Sequence, residues 1–373
     1  MQGPEPIIPD YAGANLCGIV PSCLLSRPGQ RPSWFPQPLQ EAETIVLLLI
    51  DGLGLEQLTE FRQHAPVLAG FDTSPLTSVV PSTTASALTS LSTGASPAEH
   101  GIIGYRMDMG GQVMNTLRWG GAKGDLRRVH LPAIVQPIPP FVGTSIPVVS
   151  RTDLESSAFT EAHLRGTRAR GWRTPSNIVA ETVALVRSGE KFVYAYYDGL
   201  DKIAHERGFG DFYNAELAFV DWLVEALLES LPAGTTLAVT ADHGQVMVGS
   251  NVVSLADEVL ADTRHQSGEG RFRWLHARRG REQDLLHCTT EMYSDRAWVV
   301  SREQIVDERW FGPGGSQPLA DSVGRRFGDV ALIPFADISF DDPLDSGPFT
   351  LICRHGSLTS AEMLVPLAAR TVG

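Results

Sequence analysis

Lysine is nearly absent from this chain: of its 30 basic residues only Lys123, Lys191 and Lys202 are lysines. Cysteine is scarce as well. Cys17, Cys23, Cys288 and Cys353 fall in no spacing that resembles a disulfide framework or a zinc knuckle, so a reducing, cytoplasmic setting is the expectation. No apolar run approaches the roughly 20 residues of a membrane helix. The opening MQGPEPIIPDYAG has no basic stretch ahead of an apolar one, and no secretory signal is read there. Positive charge is in deficit, with a net charge of −13, which argues against a nucleic-acid polymer or an anionic membrane surface as partner. Internal repeats and low-complexity tracts are missing too.

What remains is an ordinary globular composition, 43% apolar and 20% charged over 373 residues. That length suits one large α/β domain or two smaller ones. The runs TIVLLLIDG (44–52), KFVYAYYDG (191–199) and TTLAVTADHG (235–244) are continuously apolar and end on Asp and Gly. They read as strands covered on both faces of a parallel sheet. Between the last two, residues 211–231 repeat apolar positions at helical spacing, with Asp211 as N-cap and Pro232 past the end. Strand, helix, strand is a βαβ unit, and the fold class follows as three-layer α/β/α around a mostly parallel sheet. A single domain over 1–373 is expected, with cap or rim insertions at about 106–172 and 262–346, where the rhythm breaks. RFRW at 271–274 reads as a solvated strand edge.

In open α/β sheets, ligands sit outside the carboxyl ends of the strands. Asp51, Asp201 and Asp242 all fall there. One such carboxylate is ordinarily a turn or cap residue; three, two of them accompanied by His, ask for another explanation. In DKIAH, Asp201 and His205 stand one helical turn apart, a spacing that lets two side chains grip one metal. In SVVPSTTASALTSLSTG (78–94) a strand gives way to hydroxyls that open a helix, and Ser82, Thr83 or Thr84 could cap it or face a phosphate there. LICRHGSLT (351–359) adds His355, with Cys353 as a packed thiol. Asp51, Asp242, His243 and a Thr hydroxyl form one oxygen and nitrogen shell, and Asp201, His205 and His355 a second. Mixed Asp/His donors suit zinc, with manganese or iron as alternatives. A dinucleotide fingerprint at GLG (52–54) fails because Gln57 stands where a third Gly or Ala is needed.

The order IDGLG, PSTTASALTSLSTGASPAEHGIIGY, DKIAH, TADHG, RHGS resembles the alkaline phosphatase superfamily, in its type I phosphodiesterase/nucleotide pyrophosphatase branch. The resemblance runs from residue 44 to 359 and is weakest over the two insertions. It implies an alkaline-phosphatase-like fold and a hydrolase acting on phosphoric esters of small substrates through a phospho-threonine. It further implies Thr84 as nucleophile, with Asp51, Thr84, Asp242 and His243 on one zinc and Asp201, His205 and His355 on the other. One departure is visible: the branch carries an Asn after H-G-I that steadies a phosphate oxygen, and here Tyr105 takes its place, with Arg106 next to it. The substrate-binding donor is therefore Tyr105 or Arg106, and preference for diester, monoester or phosphonate stays open. A non-catalytic phosphate-binding protein is the rival from another class, and an intact nucleophile counts against it.

Overall fold

The computed structural model describes residues 3–122, 124–313, 321–345 and 350–373. Lys123 and part of the 262–346 stretch (314–320 and 346) lie outside them. The three apolar runs form β1 (Thr44–Ile50), β2 (Phe192–Tyr197) and β3 (Thr235–Thr240). They are parallel neighbours with β1 in the middle, so that Leu48 stands between Ala195 and Val239. Every residue of the three after Thr44 is buried, which is why they carry no polar alternation. The complete sheet has seven strands in the order 72–77, 364–371, β3, β1, β2, 147–151, 168–172. Only Leu364–Thr371 runs against the rest. Helices pack on it, among them α1 (Thr84–Thr93), α2 (Gly199–Arg207) and α3 (Asp211–Ser230), giving the α/β/α layering. Gly210, not Asp211, takes the cap position of α3, and Asp211 opens the first turn, where its charge favours the helix dipole.

The stretch 106–172 is only partly an insertion. Residues 106–125 fold into a small antiparallel sheet, but Pro147–Arg151 and Arg168–Trp172 join the main sheet as its last two strands on one side. The sequence hid them because four of the five residues in RARGW are exposed on an edge, so neither face repeats an apolar pattern. Beyond the main sheet, β4 (Thr263–Glu269) and β5 (Phe272–Ala277) pair with 330–334 and 297–301 in a second, antiparallel sheet. Among the described residues, no helix is long and apolar enough to cross a membrane.

The solvated edge expected at RFRW is an interior element. β5 has partners on both sides, and Arg271 and Arg273 are 0% and 1% exposed. Arg271 reaches both oxygens of buried Glu362 at 2.7 Å and also donates to the carbonyls of Ala336 and Ile338. Glu362 in turn accepts from Ser357 N at 3.0 Å and Thr359 Oγ1 at 2.6 Å, which fixes the segment just after His355. A planar guanidinium survives burial because its donors find this many acceptors. Arg271→Met would leave Glu362 charged, buried and short of its counterion. A loss of about 3–5 kcal/mol in urea unfolding is expected, and a loss below about 1 kcal/mol would contradict this account of the pair.

Candidate functional site

Three adjacent parallel strands end on the same edge, and each delivers an acid there. Asp51 follows β1 directly, Asp242 follows β3, and Asp201 sits in the first turn of α2, which β2 feeds. Asp51 Oδ1 and Asp242 Oδ2 lie 3.5 and 3.4 Å from His243 Nε2, and Thr84 Oγ1 lies 3.1 Å from the same nitrogen. Asp201 Oδ1 lies 3.3 Å from His205 Nε2, and His355 completes a second cluster with that pair. The two clusters touch: the His243 and His355 rings stack at 3.5 Å with 13° between their planes. All seven residues read from the sequence therefore meet at one rim.

Of the three hydroxyls in PSTT, the structure turns only Thr84 toward these clusters. Ser82 donates to Ser357 O at 2.7 Å, and Thr83 lies beside Glu269. Thr84 is the first residue of α1, so free backbone N–H groups and the positive end of the helix surround its hydroxyl.

The surrounding hydrogen bonds leave particular atoms free. Each of the three imidazoles has Nδ1 within reach of a carbonyl: His243 on Gly244 at 3.0 Å, His205 on Cys353 at 2.7 Å, His355 on Ser82 at 3.0 Å. A carbonyl only accepts, so Nδ1 carries the proton and Nε2 presents a lone pair to the site. Tyr196 OH donates to Asp51 Oδ2 at 2.5 Å, and Gly52 N and His243 N donate to Asp242 Oδ1 at 3.1 Å each. Gln245 Nε2 donates to Asp201 Oδ1 at 2.7 Å. Asp51 Oδ1 and Asp242 Oδ2 have no partner although both are buried. Tyr196 and Gln245 stand next to motif residues in YAYYDGL and TADHGQV, yet nothing in their spacing marked them as supports.

Burial and mutual repulsion push these acids up. Asp51 is raised well above the carboxylate range by desolvation, then by Asp242 and Asp201. Desolvation likewise raises Asp201 and Asp242, with His205 and His243 opposing it. It lowers His243, and it lowers His355 well below the ordinary imidazole value, helped by His243 and His205. A cation would satisfy the unpaired buried carboxylate oxygens and the imidazole lone pairs that face them. The donor sets, Asp/Asp/His with a Thr hydroxyl and Asp/His/His, fit divalent transition metals.

Thr84 borders two cavities. One, of about 310 Å³, is lined by Tyr105, Arg118, Glu269, Arg354 and His355. The other, of about 270 Å³, is lined by Asp51, Phe159, His163, Tyr194 and Lys202. Tyr105 thus reaches the site's wall. Arg106 does not: it donates to Asp342 Oδ2 at 2.6 Å and lines a separate cavity. Glu269 escaped sequence reading because it sits in the 262–346 stretch, where the rhythm breaks, and Arg354 because only its neighbour His355 in RHGS was read as a site residue.

The profile of the family described as type I phosphodiesterase / nucleotide pyrophosphatase matches residues 45–347. No curated protein matches the chain by sequence. Among solved structures, murine ectonucleotide pyrophosphatase / phosphodiesterase 5 superposes with a TM-score of 0.63 at 14% identity, covering 87% of each chain. An inactive threonine-to-alanine variant of that protein, in complex with AMP, gives 0.61 at 13% identity with the same coverage. Phosphonoacetate hydrolase from Sinorhizobium meliloti 1021, in complex with phosphonoformate, gives 0.63 at 17% identity and 92% of each chain.

Glu269 supplies a pH test of the metal-free protein. Burial pushes its carboxyl from 4.5 up to about 8 against the opposing bond from Thr83. The folded state then keeps a proton that the unfolded chain releases, so the stability from this group is present below its unfolded pKa and lost as pH rises toward 8. The slope is at most about 1.4 kcal/mol per pH unit for one group. Asp51, Asp201 and Asp242 act in the same direction. Lowered histidines, His243 and His355 among them, act in the opposite direction below about pH 6.5. The readout is therefore a difference: the urea midpoint of chelated wild type is expected to fall relative to that of Glu269→Gln between about pH 5 and 8. Parallel profiles for the two proteins would show that Glu269 is ionised throughout.

Proposed function

The chain belongs to the type I phosphodiesterase / nucleotide pyrophosphatase family, and from that premise we propose that it cleaves small phosphodiesters with Thr84 as nucleophile. The observation that carries this reading is the convergence of seven side chains on one rim, with Thr84 the single hydroxyl of its tripeptide aimed into it. Two divalent cations, zinc by the donor set, would lower the pKa of the Thr84 hydroxyl and neutralise charge on the phosphate oxygens. Asp51, Asp242, His243 and Thr84 are assigned to one, and Asp201, His205 and His355 to the other.

Thr84 Oγ attacks phosphorus and the bond to the leaving oxygen breaks, which gives a phospho-threonine. Water then displaces Thr84 and restores its hydroxyl. The N-terminus of α1 favours the phosphate's negative charge. Tyr105 is the donor assigned to a non-bridging oxygen, since Arg106 is held by Asp342. The two cavities that meet at Thr84 support a diester, whose phosphorus carries two organic groups with need of separate space. The inactive threonine-to-alanine neighbour that holds AMP fits both the nucleophile and a nucleotide-sized substrate. A second reading, a phosphonate bearing another anion, draws on Arg118 and Arg354 in the larger cavity and on the phosphonoacetate hydrolase neighbour. All four cysteines are free thiols, which supports a reducing, cytoplasmic setting.

Zinc-loaded enzyme should hydrolyse an aryl phosphodiester at least about tenfold faster in kcat/KM than the matching monoester, a gap of about 1.4 kcal/mol in transition-state binding. Release of phosphate from phosphonoacetate alone would select the second reading. Thr84→Ala should lose on the order of 10³-fold or more in kcat with metal content by elemental analysis unchanged. Near-full turnover in that variant would end the covalent route. Tyr105→Phe is expected to lower kcat about 10²-fold with little change in KM.

A further inference from the structure

A third donor set lies away from the seven residues, where the 106–125 sheet meets the second sheet. Asp108 ends the short strand Arg106–Asp108, His265 is on β4 and His276 is on β5. Asp108 Oδ2 lies 3.3 Å from His265 Nε2 and 3.7 Å from His276 Nδ1. The two imidazoles stack at 4.1 Å with 14° between planes, so both nitrogens face the same carboxylate oxygen. Ligands about 2.0–2.1 Å from a tetrahedral zinc stand about 3.4 Å from one another, close to these separations.

The outer atoms of all three residues are already engaged. Asp108 Oδ1 accepts from Gly111 N at 2.5 Å. Ser267 Oγ lies 2.8 Å from His276 Nε2, which places the proton there when Nδ1 is a ligand. Such outer bonds orient metal ligands. His265 Nε2 is buried, and apart from its 3.3 Å approach to Asp108 Oδ2 its bonding capacity is unmet. Arg264 Nε, 3.3 Å from His265 Nδ1, is on an exposed residue and can turn to water once Nδ1 carries a proton. His265 also borders a cavity of about 740 Å³.

We propose that Asp108, His265 and His276 bind a third divalent transition-metal ion, zinc by its donors, that clamps the 106–125 sheet onto β4 and β5. The clamp has a consequence for the substrate cavity. Tyr105 lies three residues before Asp108, Glu269 lies four after His265, and both line that cavity. An ion at this junction would set the distance between its two walls without touching substrate.

The test is elemental analysis after zinc loading and dialysis against metal-free buffer. Wild type is expected to retain one more equivalent per chain than His265→Ala, and one more than the milder Asp108→Asn. Faster amide hydrogen exchange over 106–125 is expected in both variants. Equal metal content in wild type and both variants overturns the proposal, whatever the total. A wild-type total of one, lost in His265→Ala, supports this site while sinking the two-cation reading of the Thr84 rim, so the two assignments fail separately.

Discussion

Three carboxylates held out of water beside one another are the constraint from which the rest of this molecule can be read. Parallel neighbours lie about 4.8 Å apart, so acids at the ends of β1 and β3, with a third on the helix after β2, are forced into mutual range. Burial raises all three, and Asp51 is raised further by the other two. A protein could relieve this by admitting water or an arginine. Instead the polar supports fill the outward oxygens, through Tyr196, Gly52 and the His243 amide, and leave Asp51 Oδ1 and Asp242 Oδ2 bare. A cation bound there would relieve the repulsion and so contribute to folding free energy as well.

Distant segments are then recruited to hold that rim. Ser78 Oγ donates to Asp242 O at 2.5 Å, and Ser82 O accepts from His355, so the approach to α1 is tied to both clusters. The antiparallel strand Leu364–Thr371 enters the sheet beside β3, and Glu362 just before it binds the loop after His355. Through Arg271 the same carboxylate reaches the second sheet. A buried, fully bonded ion pair is a rigid way to join two sheets, because breaking either half strands the other.

The central strands and the metal-type residues were legible because each is a local signal. β1, β2 and β3 are unbroken apolar runs, and Asp201–His205 and Asp242–His243 lie within a single turn of chain. What stayed hidden depends on contacts far apart in sequence. Residue types alone left Ser82, Thr83 and Thr84 open, and only the family resemblance pointed to Thr84. In the structure their separate surroundings are Ser357, Glu269 and His243, none of them near in the chain. Arg168–Trp172 is an exposed edge with no buried face to write a pattern. RFRW reads as solvent-facing because two arginines alternate, and acceptors far along the chain reverse that: Glu362, 91 residues away, for Arg271, and Phe340 O for Arg273. Asp108, His265 and His276 lie on three strands, and nothing in their separation marks them as a set.

The negative net charge and an anionic substrate are compatible because the charge is locally redistributed. Near Thr84, Asp198 is covered by Arg151 at 2.9 Å and Lys202 at 2.6 Å, and Lys202 borders the smaller cavity. On the other side, Arg118 and Arg354 face Glu269 and Asp345 across the larger one. The two spaces are lined differently: the smaller carries Phe159, Tyr194 and Tyr196 beside Arg151 and Lys202, the larger Arg118, Arg271 and Arg354 beside Glu269 and Asp345. Phosphoryl transfer places attacking and leaving oxygens roughly in line across phosphorus. On the proposed reading, a diester with its phosphate at Thr84 would direct its two organic groups into these two spaces. Positive charge borders both spaces, so on that reading the aromatic rings of the smaller one are what would tell its two organic groups apart.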